Sequence, residues 1–481
     1  MEFCRRWGVA PEVRRQSIAE DFPRNYLYVT GTNGHELARF EFPSRRDSPL
    51  TVSPEALQRC SQHRFDPILR DHARQYASVA LQYDTHCEGL EQDAEGVTVR
   101  LRDVAGRASS VRCDYLVACD GADSAIREAL GIGLEGEDLD FNLNVFFRSR
   151  DTGVFFPRGR ALMQWIFGPQ GMWADVVAID GVELWRLSIM RLAPGATLTH
   201  EQAAARIREA VGRDFDFEVI SILPWTRRRV VAEHFSQGRV FLCGDAVHQM
   251  SPTGGFGMNT GIQEAVDLGW KLAATLKGWG GPKLLDSYDR ERRPIAVRTT
   301  NEGARNYLQF LKLPFGEEIH EDSPRGESLR RRIGEAIHAE HFEREYAMMG
   351  VTLGYRYEGS PIVVPDGTPE PPDDAIEYRP SARPGHRAPH AWLADGRSTL
   401  DLFGAGFTLL SFDHADAGVA ALAKAAQLRN VPFVHHVIDD ARVRELYASP
   451  LVLVRPDGHV AWRGERVPDD ALALIDTVRG A

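Results

Sequence analysis

The spacing of hydrophobic residues changes several times along the chain, and the sharpest series of changes lies at residues 238–278. A short apolar run at 240–243 predicts a buried strand. Four glycines follow in the loop at 251–261, and apolar residues then recur at helical spacing from Ile262 until Gly278. We therefore predict a strand, a glycine-rich loop and a helix, in that order.

Alternation with a period of two dominates residues 141–192 and predicts an antiparallel meander. Its predicted strands, joined by short turns, are 143–149, 161–168, 172–180 and 183–190. The aromatic residues that stand out in them are Phe146, Phe147, Trp165, Phe167, Trp173 and Trp185. Two interpretations stay open: the rings cover a flat substrate, or they only fill a core.

The other patterns predict elements on both sides of the meander. The predicted helices are 1–8, of which only the end is seen, 58–76, 201–212 and 284–313, the last broken near Pro294. The predicted strands are a hairpin around Asn33-Gly34 and the segments 97–103, 110–121 and 219–225.

A proline-rich segment separates the last part of the chain from the rest. Eight of the 27 prolines lie between Ser360 and Pro389, too many for a helix or an interior strand. The elements predicted after it are strands at 407–412 and 431–438, a helix at 417–430 and a hairpin at 451–464. This order resembles a thioredoxin fold, but the segment has no cysteine, so thiol–disulfide chemistry is excluded there.

Composition narrows the classes of function. A length of 481 residues allows two to four domains, and the net charge of −11 disfavours a nucleic-acid partner. No apolar run has the length of a membrane span, and the N-terminus lacks the apolar core of a signal peptide. The six cysteines form no CxxC pair or disulfide framework. We expect a cytoplasmic protein without a membrane partner.

The stretch at 238–278 also carries the candidate chemistry. Asp245 follows the predicted strand, where its carboxylate would accept hydrogen bonds from sugar or polyol hydroxyls. Bare glycine backbone lets a flat ring lie close, and the helix N-terminus offers unpaired N–H groups with partial positive charge. That field favours an electron-rich ring with negative charge, as in a reduced flavin.

The sequence GDAVHQMSPTGGFGMNTGIQEAVDLGWKL at 244–272 resembles the second FAD-binding motif of class A flavoprotein monooxygenases, which hydroxylate phenols and polyketides. By this resemblance Asp245 would hold the ribityl chain of FAD. Pro252 to Gly257 would border the isoalloxazine ring, and Met258 and Asn259 would contact its pyrimidine edge. The cofactor-binding residues implied in this stretch are Gly244, Asp245, Pro252, Gly254, Gly255, Gly257, Met258 and Asn259.

Two further positions are implied by the same resemblance. Asp120-Gly121, followed by Arg127, resembles the DG motif near FAD and the nicotinamide cofactor. The alternative is that Asp120 caps a turn while Arg127 pairs with an acidic neighbour. Gln62 corresponds to a glutamine near the ribityl chain and pyrophosphate, and its alternative is a surface position on a helix.

The family's first strand–helix–strand unit, whose GxGxxG loop holds the pyrophosphate, is not found. The one GxGxxG, at 131–136, follows a helical segment rather than a strand, so we reject it as a dinucleotide site. We expect the natural protein to begin upstream of Met1. The alternative is an inactive or binding-only homologue that holds FAD weakly or not at all.

Taken together, the resemblance implies an α/β fold. It comprises an FAD-binding Rossmann-like domain that is incomplete at its N-terminus, an inserted antiparallel substrate sheet and a C-terminal thioredoxin-like domain. The expected limits are 1–138 and 231–358 for the FAD domain, 139–230 for the substrate domain, 359–389 for the linker and 390–481 for the last domain. The last domain is expected to be structural or to form oligomers, with a homodimer as the candidate assembly.

The implied reaction is the hydroxylation of a small aromatic substrate by FAD, NADPH or NADH and O2 through a flavin hydroperoxide. Catalytic residues stay undetermined, because a packing role is favoured for His248, the one candidate base. No metal is expected, since charged neighbours favour a solvated helix face for Glu335, His338 and His341.

Overall fold

The computed structural model describes residues 1–412 and 418–481 and combines helices and sheets throughout. Its α-helices are α1 (Glu2–Arg6), α2 (Ala10–Gln16), α3 (Gln62–Ala73), α4 (Ala125–Ala129), α5 (Thr152–Phe155), α6 (His200–Val211), α7 (Gly257–Leu276), α8 (Ser287–Leu308), α9 (Pro324–Ala339), α10 (Met349–Thr352), α11 (Val419–Leu428), α12 (Ala441–Tyr447) and α13 (Ala471–Val478). Ala417, the first residue of the helix predicted at 417–430, lies outside the described residues.

Four sheets contain the strands. These are β1 (Arg24–Val29), β2 (Glu36–Phe42), β3 (Thr85–Gln92), β4 (Val97–Asp103), β5 (Ala108–Cys113), β6 (Leu116–Ala118), β7 (Leu134–Arg148), β8 (Met163–Gly168), β9 (Gly171–Ala178), β10 (Leu184–Leu192), β11 (Glu218–Ala232), β12 (Ser236–Gln237), β13 (Val240–Leu242), β14 (His248–Gln249), β15 (Phe407–Ser411), β16 (Phe433–Val437), β17 (Leu451–Val454) and β18 (Val460–Gly464).

The largest sheet has eight strands in the order β14-β11-β7-β10-β9-β8-β1-β2. All neighbours in it are antiparallel except β1 and β8. Because side chains alternate across a strand, the sheet has two distinct faces. One face packs against α6 in a core that contains Val145, Phe147, Trp185 and Ile207. The opposite face carries polar residues and rings, and the candidate site lies there.

A second, smaller sheet joins distant parts of the chain. β6 pairs with β13 in parallel, with Ala118 opposite Leu242, and β12 completes the sheet in the order β12-β13-β6. Helix α8 lies beside it, where buried Tyr288 donates a hydrogen bond to the carbonyl of Leu242 at 2.8 Å. The carboxyl ends of β6 and β13 therefore lie side by side.

The C-terminal part has a four-stranded sheet in the order β16-β15-β17-β18, flanked by α11 and α13. β15 and β16 are parallel, and the other pairs are antiparallel. The predicted α/β arrangement and the hairpin at Asp457-Gly458 are confirmed. Helices α12 and α13 were not predicted. This part shares a core with the end of α7, through Trp270, Ala274 and Trp279.

Most predicted elements of the first 350 residues are found. The strand, glycine loop and helix at 238–278 are confirmed, as are the hairpin β1–β2 and the strands β8 to β10. Helix α1 followed by Gly8 with a φ of +78° confirms the helix end predicted at the start of the chain. Strand β3 and helix α2 were missed.

Three predictions were wrong in detail. Segment 110–121 forms two strands rather than one, because β5 continues the ladder with β4 while β6 pairs with β13 in another sheet. β7 and β8 are joined by a longer segment with α5 rather than by a short turn, since β7 pairs with β10 and β11 instead. The helix expected at 58–76 begins only at Gln62.

The prediction that Pro294 breaks its helix was also wrong. Helix α8 runs unbroken from Ser287 to Leu308, although Pro294 cannot donate to the carbonyl four residues earlier. The residues around it, Tyr288, Ile295 and Ala296, are buried in the core, and this packing holds the helix through the missing hydrogen bond.

The predicted domain limits stay a prediction, and β7 crosses the one expected between residues 138 and 139. In residues 1–412 and 418–481, no helix combines the length and apolarity needed to cross a bilayer. The same ranges contain no group of three His, Cys, Asp or Glu side chains arranged to hold a metal. Helix α9 ends before His341, which therefore does not share a helical face with His338.

Five charged side chains are buried together where α7 and α8 meet the C-terminal sheet. Lys271 Nζ lies 2.7 Å from Asp267 Oδ2 and 2.6 Å from Glu291 Oε2. The Arg455 guanidinium, which follows β17, lies 2.5 Å from Glu291 Oε1, 3.0 Å from Asp267 Oδ1 and 2.6 Å from Asp457 Oδ2. A buried network of this kind is stable only while every member is paired.

We expect Arg455→Met to lower the free energy of unfolding by about 3–5 kcal/mol, because it leaves Glu291 and Asp457 buried with too few cations. Urea unfolding followed by circular dichroism measures the change. The matched control is Arg107→Met, which removes an exposed pair with Asp103 and should change stability by about 0.5 kcal/mol or less. Equal stability of the two variants would contradict the assignment.

Candidate active site

Two predicted motifs meet at the carboxyl ends of the parallel strands β6 and β13. Asp120-Gly121 follows β6, and Gly244-Asp245 follows β13, as the start of a short 3-10 turn at Gly244–Ala246. Gly121 and Gly244 both have a left-handed backbone, with φ of +83° and +66°, which favours glycine. Ligands of α/β proteins bind at this edge of a sheet.

Glu264, on the first turns of α7, fixes the turn after β13. Its buried carboxylate accepts a hydrogen bond from the Gly244 N–H at 2.8 Å and lies 3.0 Å from Nε2 of buried His248. A Cβ on Gly261 would lie only 3.2 Å from the Gly244 Cα, so glycine is what lets α7 approach the turn. The helix and the turn are therefore held as one unit.

Asp245 points away from this unit and is exposed. Among the described residues its carboxylate has no hydrogen-bond or ion-pair partner. Partial burial raises its pKa above the ordinary value, an effect that Glu264 adds to and His248 opposes. Its oxygens are therefore free to accept hydrogen bonds from a ligand.

The glycine loop beside Asp245 is open on its outer side. Gly254 and Gly255 have φ of +99° and +70°, and the loop leads directly into α7. Phe256 precedes the helix, and its side chain cannot accept a hydrogen bond. The first N–H groups of α7 therefore have no side-chain cap. The positions predicted to touch the flavin that are exposed here are Pro252, Gly255, Met258 and Asn259.

Hydrogen bonds join the DG motif to the turn after β13. Asp120 Oδ2 accepts a hydrogen bond from the Ile126 N–H at 3.1 Å, so it does cap the turn before α4. Arg127 is buried, and its guanidinium donates to the carbonyls of Ala122 and Ala246, both at 3.4 Å. The side chain thus links the turn after β6 to the turn after β13 rather than projecting from the edge.

Gln62 is the first residue of α3 and is exposed. Phe65 of the same helix belongs to a small core against which Ile262 of α7 packs. This packing holds the N-terminus of α3 beside that of α7. The predicted cofactor-binding residues thus lie at the start of α3, after β6, after β13 and at the start of α7. Their contacts with a cofactor stay a prediction.

A polar and aromatic face lies on the large sheet, opposite the core with α6. Cross-strand pairing aligns Asn144, Ser188, Asp175, Trp165 and Tyr28 in one row across five strands. The buried polar atoms without a partner on or facing this surface are Asn142 Oδ1, Asn144 Oδ1, Arg186 Nε, Trp225 Nε1 and Glu345 Oε2. Such atoms are rare in folded proteins, and each calls for a partner such as an ordered water or a ligand.

A 3-10 turn at Phe342–Tyr346 covers one side of this face. The Tyr346 ring stacks on Tyr26 with centroids 3.4 Å apart, and its hydroxyl accepts a hydrogen bond from Trp165 Nε1 at 2.8 Å. The adjacent Glu345 is buried, and burial raises the pKa of its carboxyl to about 8 in spite of Arg227 and the Gly254 N–H. At neutral pH Glu345 is therefore mostly protonated.

Arg227 of β11 joins this face to the glycine loop. Its guanidinium is fully buried, lying 3.1 Å from Asp140 Oδ1 and donating to Ser251 Oγ at 2.9 Å. Tyr307 of α8 donates to Asp140 Oδ2 at 2.6 Å. The sheet, the loop and α8 are thus locked together, and the polar face lies next to the loop.

Sequence patterns did not find several of these residues. Glu264 lies within the motif at 244–272 but was not singled out there, and Arg227 and Glu345 lie outside any motif, so only their buried positions next to the loop mark them. For the predicted aromatics, Phe147 and Trp185 lie in the core with α6, while Trp165 and Phe146 lie on the polar face. The core interpretation is confirmed for Phe147 and Trp185, and a role of the other rings in covering a substrate stays a prediction.

Comparisons with known proteins agree with this arrangement. The model of the FAD binding domain family matches residues 1–302, and that of the aromatic-ring hydroxylase C-terminal family matches residues 381–480. The chain is 35% identical to tetracenomycin A2 monooxygenase-dioxygenase of Streptomyces glaucescens, over 87% of this chain and 74% of that protein. It is 31% identical to 2,4-dichlorophenol 6-monooxygenase of Delftia acidovorans, over 97% of this chain and 87% of that protein.

A solved structure is similar over the whole chain. The structure of RebC with bound 7-carboxy-K252c has a TM-score of 0.91 and 39% sequence identity, covering 100% of this chain and 90% of that one. The named relatives are enzymes, so the comparisons do not favour the alternative of an inactive or binding-only homologue.

The buried carboxyl of Glu345 makes stability depend on pH. Its pKa is about 8 in the folded protein against an ordinary value of 4.5, so between these values the folded chain keeps a proton that the unfolded chain has lost. The group therefore destabilises the fold progressively as pH rises from about 5 to 8, by up to roughly 1.4 kcal/mol per pH unit.

We expect Glu345→Gln, which keeps an acceptor for the Gly254 N–H but does not titrate, to flatten this decline. Urea unfolding of both proteins at a series of pH values measures the slope. The control is Glu340→Gln, an exposed residue five positions earlier, which should leave the slope unchanged. Parallel curves for Glu345→Gln and the wild type would disprove the assigned protonation state.

Proposed function

The chain belongs to the FAD-dependent aromatic-ring hydroxylases, and on this premise we propose that it uses NAD(P)H and O2 to hydroxylate a phenolic or polyketide-like compound. The observation that carries the proposal is the adjacency of two surfaces. An open glycine loop with a free carboxylate lies next to a polar and aromatic sheet face, and Arg227 joins them through Ser251.

The residues at the loop fit FAD. The uncapped N-terminus of α7 offers N–H groups and partial positive charge, which suit an electron-rich ring. Asp245 has unpaired acceptor oxygens for the hydroxyls of a ribityl chain. A Cβ on Gly255 would meet nothing within 4 Å, so the backbone there is open to a flat ring, whereas the corresponding side of Gly254 faces the Phe256 ring. We propose that Asp245, the loop and Asn259 hold the cofactor, with Gln62 and Asp120-Gly121 at its other side.

Bound FAD would supply the oxidation chemistry, with NAD(P)H as the reductant and O2 as the oxidant. In the balanced reaction, an aromatic C–H, O2, NAD(P)H and a proton give a phenolic C–OH, NAD(P)+ and water. One oxygen atom enters the ring, and the other leaves as water.

The chain's own residues would bind the substrate and exclude water. Trp165, Tyr26 and Tyr346 form a packed aromatic wall that would lie against a flat ring and keep the site dry. Asn142 and Asn144 have unpaired carbonyl oxygens, which would accept hydrogen bonds from substrate hydroxyls. Glu345, protonated at neutral pH, would donate a proton to a substrate oxygen rather than take one.

His248 would position the cofactor-binding turn and would not contact the substrate. It is fully buried, and its bond with Glu264 raises its pKa in spite of burial. Through Glu264 it would hold the Gly244 turn, and with it Asp245, in place. We also propose that the protein forms a homodimer and that its C-terminal domain has a structural role.

We expect Asp245→Ala to weaken FAD binding by about 10- to 100-fold, because it removes charged acceptors worth about 1.5–3 kcal/mol. The flavin content of the purified protein and the Kd from fluorescence titration with FAD measure this loss. The control is Asp214→Ala, which removes an exposed carboxylate paired with Arg208. Unchanged flavin affinity in Asp245→Ala would rule out the role given to this residue.

The reaction itself is tested on the flavin-loaded protein with NADPH, O2 and a panel of phenolic and polyketide-like compounds. We expect at least one compound to stimulate NADPH oxidation and to gain one oxygen atom, which mass spectrometry with isotopically labelled O2 traces. Stimulated oxidation that yields only hydrogen peroxide with every compound would contradict a hydroxylase function.

A further inference from the structure

Cys119 and Cys243 lie beside each other at the carboxyl ends of the parallel strands β6 and β13. Each directly follows its strand, after the paired residues Ala118 and Leu242. The Cys243 N–H donates to the Ala118 carbonyl at 3.0 Å, so the pairing of the two segments continues up to the cysteines. Neighbouring strands lie about 4.8 Å apart, and paired residues of parallel strands point to the same face. That spacing falls within the Cα–Cα range of disulfides, which is about 4.4–6.8 Å.

The two thiols have different surroundings. Cys119 is exposed, whereas Cys243 is buried. Cys243 Sγ lies 3.6 Å from the carbonyl oxygen of Gly261 and 3.8 Å from Glu264 Oε2, both on α7. A hydrogen bond between the two thiols lowers the pKa of Cys119 and raises the pKa of Cys243, which burial raises further. Because the thiolate is the nucleophile, Cys119 is the thiol that reacts first with an oxidant in solution.

No other two cysteines in residues 1–412 and 418–481 lie opposite each other on neighbouring strands. Cys87 and Cys113 each pair with an aliphatic residue of β4. Cys4 and Cys60 lie outside the strands, in the small core of the first helices. The ends of β6 and β13 are therefore the one place in these ranges where strand pairing brings two thiols together.

The thiol of Cys243 contacts the carboxylate that holds the cofactor-binding turn. Glu264, whose Oε2 lies 3.8 Å from Cys243 Sγ, accepts the hydrogen bond from the Gly244 N–H with the same oxygen. A bond from Cys243 to Cys119 would remove the thiol hydrogen and draw the sulfur towards β6. We therefore expect it to displace the turn that carries Asp245.

We propose that Cys119 and Cys243 form a redox site, which hydrogen peroxide converts to a disulfide that weakens FAD binding at the adjacent turn. The effect on FAD rests on the proposed function of Asp245, whereas the disulfide does not depend on it. Disulfides inside cells are commonly transient and redox-sensing, which suits a pair that is reduced in this structure.

The oxidation proceeds in two steps. The Cys119 thiolate attacks one oxygen of hydrogen peroxide and becomes a sulfenic acid, and the released hydroxide takes up the proton that the thiol lost. Cys243 then attacks this sulfur, the S–S bond forms, and the sulfenic hydroxyl leaves with the Cys243 proton as water. Two thiols and one peroxide thus give one disulfide and two waters. Two-electron reduction of O2 gives the same peroxide, so NAD(P)H oxidation without hydroxylation would supply the oxidant.

The test treats the purified full chain with hydrogen peroxide, blocks free thiols and digests the protein with trypsin. We expect mass spectrometry to find the peptides 113–127 and 240–271 joined, and dithiothreitol to separate them. Fluorescence titration with FAD measures the effect on the turn. The Kd should rise about 3- to 10-fold on oxidation, because a hydrogen-bonded contact of Glu264 is lost, and should return with dithiothreitol.

Two variants identify the reacting thiols. Cys119→Ser removes the first nucleophile, and Cys113→Ser is the matched control because residue 113 lies on the same tryptic peptide. Peroxide should give no linked peptides and no change of Kd in Cys119→Ser, whereas Cys113→Ser should respond like the wild type. A link that persists in Cys119→Ser, or one that disappears in Cys113→Ser, would assign the disulfide to another pair and overturn the proposal.

Free thiols at both positions after oxidation, or a disulfide that leaves the Kd for FAD unchanged, would also overturn the proposal. The linked peptides are identified by mass and need no turnover. A chain that forms the disulfide but transfers no oxygen to any compound would contradict the hydroxylase function and leave the redox site standing. A hydroxylase in which these two thiols never pair would do the reverse.

Discussion

Helix α7 carries three charged side chains that are fully buried, and the arrangement of the molecule depends on how each is neutralised. Glu264 is satisfied by His248 and by the backbone of the turn after β13, which sets the position of Asp245. Asp267 and Lys271, one and two turns further along, are paired with each other and with Glu291 and Arg455. A buried charge without its partner costs several kcal/mol, so the turn, α8 and the C-terminal sheet each have one acceptable position relative to α7. The C-terminal sheet is thus joined to α7 and α8 through Arg455.

The second constraint is that the large sheet has two faces of different chemistry. One is filled by aliphatic side chains and rings against α6, as any sheet in a core would be. The other holds asparagines, arginines and an aspartate among aromatic rings, with several buried polar atoms unpaired. A fold tolerates such atoms when a ligand completes them, since an unpaired buried group costs about 1–3 kcal/mol. These atoms therefore lower the stability of the fold unless water or a ligand completes them, and the buried Arg227 fixes the distance of this face from the glycine loop.

Much of this could be predicted from the sequence, because local patterns determine local structure. The strand, loop and helix at 238–278 follow from an apolar run, four glycines and helical spacing, and their resemblance to an FAD motif led to the right family. Patterns failed where a distant partner decided the outcome. Segment 110–121 looks like one strand, but two different sheets compete for its halves, and Pro294 looks like a helix break until the packing of α8 is known. Arg127 is buried and donates to two carbonyls, with Glu128 Oε1 3.6 Å from its guanidinium, and its contact with a cofactor stays a prediction.

The sequence by itself determined the class of the protein, its cofactor and the order of its elements, because glycines, apolar periods and a carboxylate at a strand end act over a few neighbouring residues. Only the tertiary structure decided which side of the sheet faces the loop and which carboxyl has its pKa raised by burial. Those properties arise from burial and from the distances between residues far apart in the chain, such as Asp140, Arg227 and Tyr307. The sequence specifies the charges, but their balance exists only where the fold brings them together.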